Sequence, residues 1–134
     1  MTARLPAIDR RLSVWPGLWA VCRLVPAAAV PTWATEPSPL TVVARTDAEL
    51  SIVIPEVHVP SGVEVERGFR VMALHGPIPF AVTGVIAAVA VPLAECGISL
   101  FPIATYETDY VMVKEVDLGR ALDALRAAGW DVAD

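Results

Sequence analysis

The feature that most constrains this chain is a run without charge. Residues 76–94 hold no Asp, Glu, Lys or Arg, and Glu95 closes the stretch. By length alone it meets the transmembrane criterion of about 18–20 apolar residues. Its interior argues otherwise. Pro77 and Pro79 keep a helix from starting before about Ala81, and Pro92 interrupts the far end. The helix left over, near 83–96, is about 20 Å long at about 1.5 Å per residue. A bilayer core needs about 30 Å. The run is therefore expected to be a proline-ended loop and a helix of small residues buried on a sheet, with no membrane partner.

The rest of the composition agrees. The 134 residues are 55% hydrophobic, so the chain can bury a core and is not disordered. A formal net charge of −5 argues against a phosphate-backbone binder, so no nucleic acid is expected. Two cysteines, Cys22 and Cys96, are too few for a disulfide scaffold or a zinc site. Neither a metal nor a cofactor is expected, and the cytoplasm is the expected compartment. Near the start, Arg4, Arg10 and Arg11 precede an apolar stretch, as in a signal peptide. Asp9, Arg23, Pro16 and Gly17 spoil that pattern, and residues 1–13 read as a loose arm.

Alternation and breakers divide the remainder. Strands are expected at 18–25, 40–44 and 51–54, with a single helical turn at 47–50 capped by Asp47. Residues 56–67, polar and holding Pro60 and Gly62, read as a linker. Beyond them come a strand at 69–74, a loop at 75–80, and a helix capped by Thr83 and stopped by Gly97. A hairpin of strands 98–105 and 109–114 follows, then a helix capped by Asp117 and stopped by Gly129, and a strand at 130–132. Helical spacing of Val82, Val85, Ile86, Val89 and Leu93 gives the first helix one apolar face. This second half is a βαββαβ unit, the ferredoxin-like arrangement. Its first helix carries Glu95 alone as a charge, so another lobe or subunit is expected to cover it.

Two segments could carry chemistry. At 80–86 a helix opens with free backbone N–H groups, Gly84 without a side chain, and the Thr83 hydroxyl. That suits a small carboxylate, and suits equally an ordinary capped helix. At 105–110 the hairpin tip holds two acids, two hydroxyls and two phenols. Asp109 there could hold an ammonium or guanidinium, or simply bond nearby amides. No nucleophile, metal set or acid–base pair at catalytic spacing stands out. Cys96, near a helix C-terminus, is poorly placed as a thiolate, and His58 and His75 lack ligand spacing.

Taken together, Phe80-Ala81-Val82-Thr83-Gly84-Val85-Ile86, residues 92–99 and Thr105-Tyr106-Glu107-Thr108-Asp109-Tyr110 resemble ACT-domain proteins. The relatives are the cytosolic arginine sensor and the regulatory domains of aspartate kinases. The resemblance implies an α+β fold of tandem ACT lobes, antiparallel sheets with helices on one face. The first lobe, 14–63, is abbreviated and the second, 64–134, complete. It also implies a non-catalytic sensor that binds an amino acid, arginine or another zwitterion, at an ACT–ACT interface. The ligand residues carried over are Thr83, Gly84, Val85, Ile86, Thr105, Tyr106 and Asp109. A homodimer is expected, because the arginine sensor has four lobes. The alternative is a dimerisation or partner-docking module with no ligand.

Overall fold

The computed structural model describes residues 8–133. Its strands are β1 (Arg11–Val14), β2 (Trp19–Leu24), β3 (Val42–Arg45), β4 (Leu50–Pro55), β5 (Glu64–Leu74), β6 (Phe101–Ala104), β7 (Asp109–Lys114) and β8 (Asp131–Ala133). Its helices are α1 (Val85–Glu95) and α2 (Leu118–Ala127). The chain forms two compact units. One is Gly17–Phe69; the other joins the segment ending at Pro16 to everything from Arg70 onward. The long strand β5 therefore gives its first six residues to one unit and its last five to the other.

In the unit Gly17–Phe69 the strands run in the order β3-β4-β2-β5, all antiparallel. Period two puts Ala20 and Cys22 of β2 on one face, opposite Ile54 and Ile52 of β4. With Leu50, Ala34 and Val59 these make the core. No α-helix is among its described elements; two three-residue 3-10 turns, Thr32–Ala34 and Glu56–His58, stand in the connections. The helical turn expected at 47–50 is instead a hairpin bend. Thr46 Oγ1, not Asp47, accepts the N–H groups of Ala48 and Glu49 at 3.1 and 3.2 Å.

The expected linker is corrected too. From Glu64 onward it is strand β5, paired with β2 at Arg23↔Glu64, Cys22↔Val65 and Val21↔Glu66. Val63 and Val65 pack on the core while Glu64 and Glu66 face out. The charged half of an alternating strand hid it. A bulge follows, where Gly68 takes φ +81° and its N–H donates to Glu56 Oε2 at 3.0 Å.

In the other unit the order is β6-β7-β5-β1-β8. Strand β1 lies antiparallel to β5 (Leu12↔Leu74) and parallel to β8 (Leu12↔Val132). Part of the expected loose arm is thus a central strand, and Leu12 is 2% exposed in the core. Residues 1–7 of that arm lie outside the described residues. Removing β1 leaves the expected βαββαβ sequence β5-α1-β6-β7-α2-β8.

Helix α1 buries Val85, Ala88, Val89 and Leu93, and α2 buries Ala121, Leu122 and Leu125; both share one core with Met72, Val111 and Val113. Both stop as their glycines predict. Gly97 (φ +71°) and Gly129 (φ +93°) turn left-handed, and Ile98 N–H and Trp130 N–H reach back to Leu93 O and Leu125 O, each at 2.9 Å. Both helix starts are corrections. Gly84 (φ +83°), not Thr83, occupies the cap position of α1, and no side chain bonds there. Asp117 does hold the cap position of α2, but its carboxylate bonds no helix N–H; its Oδ1 accepts from Arg120 Nη2 at 3.0 Å.

Pro92 does not end α1 but lies inside it. A proline there removes the N–H that would bond the carbonyl four residues back, at Ala88. The Trp130 indole Nε1–H donates to that carbonyl at 3.0 Å, in the core. At 11 residues α1 is far short of a span, and no described helix is long and apolar enough to cross a membrane.

Candidate functional site

The segment before α1 is pinned to the β6–β7 hairpin. Ile78 N–H donates to Glu107 O at 2.6 Å, and Thr108 Oγ1 donates to Leu74 O at 2.9 Å. Gly76 has no side chain where it passes Thr108; a Cβ built there would stand 2.8 Å from Thr108 Cβ. The rings of Phe80 and Tyr106 meet edge to face at 5.2 Å, both largely exposed.

Between these straps lies a cavity of about 280 Å³. One wall is the opening of α1, with Gly84, Val85 and Ile86; the other is the hairpin, with Thr105, Tyr106 and Asp109. Six of the seven residues expected in a ligand site thus border one space. Thr83 does not line it. Sequence reasoning missed Ile78, Pro79 and Ala104 as lining residues; Phe80, Val82 and Thr108 stood in its two candidate segments without being named as ligand residues. The pair of prolines at 77 and 79 was the available signal for Ile78 and Pro79, because it fixes an irregular segment ahead of the helix.

The chemistry of the space is uneven. The first N–H groups of α1 have no partner within the helix and no side-chain cap, and the dipole is positive there. Asp109 is the one carboxylate among the described lining residues, and no cation lines the cavity with it. Partial burial raises its carboxyl from the ordinary value. The hydrogens of the two threonine hydroxyls are spent on carbonyls: Thr105 Oγ1 donates to Thr108 O at 3.0 Å, and Thr108 Oγ1 to Leu74 O.

A smaller cavity of about 120 Å³ shares Ile78, Pro79, Val82 and Val85 and adds Asp9 and His75. Asp9 is already engaged. Arg11 donates to it through Nε at 2.9 Å and Nη2 at 2.6 Å, and holds its carboxyl below the ordinary value; His75 Nε2 is 3.7 Å away. Cys22 is buried and Cys96 exposed, and both are free. Among the described residues no three His, Cys, Asp or Glu side chains gather as a metal site would need.

The split βαββαβ unit, its first helix opening against a hairpin, falls in the part of the chain that is an ACT domain by its family match. The ACT family model matches residues 64–127, and a model of an N-terminal domain matches 17–62. Among solved structures, protein Atu0741 from Agobacterium tumefaciens is 32% identical, with a TM-score of 0.87 over 94% of this chain and 93% of that one. VC0802 from Vibrio cholerae is 26% identical, with a TM-score of 0.68 over 87% and 89%. The regulatory subunit of aspartate kinase from Thermus thermophilus shares the fold at 11% identity, with a TM-score of 0.59 over 94% and 99%.

Proposed function

We propose that the protein is a non-catalytic regulatory sensor that binds a free amino acid in the cavity at the opening of α1. One observation carries the reading: uncapped helix N–H groups and an unpaired acid border the same small space. The N–H groups suit an α-carboxylate, and Asp109 suits an α-ammonium by a charge-assisted bond. At about 280 Å³ the cavity lies just below the range that holds drug-sized ligands, in keeping with one amino acid. The ACT-domain family match, and the fold shared with a kinase regulatory subunit, support the regulatory part. In this reading a second copy of the chain covers the open side, forming the ACT–ACT interface, and binding shifts the population of that interface. Two free cysteines fit a reducing cytoplasm.

Thermal unfolding with each of the common amino acids, at millimolar concentration, tests it. A ligand at about 100 times its Kd stabilises by about 2.7 kcal/mol, which is a plain rise in Tm. Asp109→Asn is expected to weaken the response at least tenfold. The reading fails if no amino acid moves Tm and calorimetry shows no heat. The exposed rings of Phe80 and Tyr106 favour a second reading, a docking or dimerisation module without a ligand. A tight dimer in gel filtration, indifferent to every amino acid, would select it.

A further inference from the structure

Resting on that reading, we infer that the ligand is an amino acid with an uncharged aliphatic side chain, and that the cavity discriminates against arginine, lysine and the acidic amino acids. The inference follows from what is left after the two backbone charges are matched. The α1 opening takes the carboxylate and Asp109 takes the ammonium. The remaining surface that meets a side chain is mostly apolar: Ile78, Val82, Val85 and Ile86, with the rings of Phe80 and Tyr106 at the rim. A cationic side chain would arrive there with no second carboxylate among the described lining residues. Burying a charge without a partner is strongly unfavourable.

The neighbouring acid does not fill the gap. Asp9, in the adjoining cavity, already receives three bonds from Arg11, two of them from the guanidinium. Glu107 stands outside this lining, beside the exposed rings of Phe80 and Tyr106. An acidic side chain fares no better. No cation among the described lining residues answers it, both threonine hydroxyls have donated their hydrogens to carbonyls, and the Tyr106 phenol is left as a neutral donor on a largely exposed ring. An aliphatic chain needs none of these partners and removes apolar surface from water.

Calorimetric titration of the full chain with leucine, isoleucine, valine and methionine, against arginine, lysine, aspartate and glutamate, reads the preference directly. At least one aliphatic amino acid is expected to bind ten or more times tighter than any charged one. The engineered reversal is Val82→Asp, at an exposed position outside the buried core. It should weaken the aliphatic ligand at least tenfold and bring arginine or lysine into measurable range. If arginine or lysine is the tightest ligand of the unmodified chain, the inference is overturned while the amino-acid sensor stands. Loss of that arginine binding in Glu107→Gln would then show where the second charge is met. If no amino acid binds at all, the sensor reading itself falls, and this inference with it.

Discussion

The two units solve one problem differently. Each is a sheet with an apolar face that must be covered. The unit Gly17–Phe69 covers its face with connections: Ala34 in one 3-10 turn and Val59 just after another complete its core. The other unit uses two full helices, with Val85, Val89, Leu93 and Leu125 in its core. The choice has a chemical consequence. A three-residue turn offers no aligned array of free N–H groups, whereas an eleven-residue helix does. The helix also needs an approach segment, and that segment, tied to the hairpin, makes the second side of the cavity. The cavity lies where the sheet is covered by helix.

The sharpest way to break this comparison is to ask whether the units are energetically separate. Leu93→Ala removes a fully buried side chain from the helical unit and should cost about 2–5 kcal/mol. Cys22 is buried within the other core and reports on it alone. In a Cys96→Ser background, Cys22 is expected to react with a thiol reagent no faster in Leu93→Ala than without it. A parallel rise in rate would make the two units one cooperative body.

The next effect concerns how the helical unit tolerates Pro92. Trp130→Phe strips the Ala88 carbonyl of its donor and should cost about 1–3 kcal/mol, since an unpaired buried carbonyl bears its full desolvation penalty. In a Pro92→Ala background the helix supplies its own N–H to Ala88. The cost of Trp130→Phe should then fall by about 1 kcal/mol in a denaturant double-mutant cycle. Strict additivity would break the assignment.

Two glycines sharpen the contrast between loops that build a site and loops that only turn. Gly76→Ala drives a methyl group into Thr108 and should cost about 1–3 kcal/mol. It should also abolish ligand-induced stabilisation by parting the approach segment from the hairpin. Gly62, in the other unit, has open space around it but φ +87°. Gly62→Ala should cost about 1 kcal/mol from backbone strain alone, with ligand response intact. Equal loss of response in both variants would remove Gly76 from the architecture of the cavity.

What the sequence disclosed follows the reach of each signal. Helix stops at Gly97 and Gly129 were legible because a left-handed C-terminus needs glycine, a local requirement. The two walls of the cavity were legible for a related reason: Gly84 and the 105–109 turn are local punctuation. Strand β1 was not, because one buried residue, Leu12, set among arginines leaves no period to detect. Thr83 was mistaken for a cap because a hydroxyl beside a helix start is the commoner solution; here a left-handed glycine took the position. The bond between Trp130 and Ala88 spans 42 residues, and no pattern in the chain announces it. Phe80 stood in the candidate segment 80–86 but was not named as a ligand residue, because its edge-to-face contact with Tyr106 joins positions 26 residues apart; it is 77% exposed.

The smallest expected effect bears on the cost of keeping an acid in the helical unit. Burial raises the Asp109 carboxyl above its ordinary value, so the fold favours the protonated form. The sign follows from proton linkage. The native state holds this proton at pH values where the unfolded chain has released it. Stability is therefore greatest below the ordinary carboxyl value and declines as pH rises through the interval up to the raised one. Above that interval the penalty is constant. Asp109→Asn removes it, so the variant should be slightly more stable than the parent at pH 7, with the difference vanishing near pH 3. Urea unfolding at the two pH values measures this. A stabilising substitution that also weakens the ligand would mark Asp109 as a residue kept for binding at a cost to the fold. If Asp109→Asn instead destabilises the chain at pH 7, the carboxylate has a favourable partner in the folded state, and its assignment to the ligand ammonium fails.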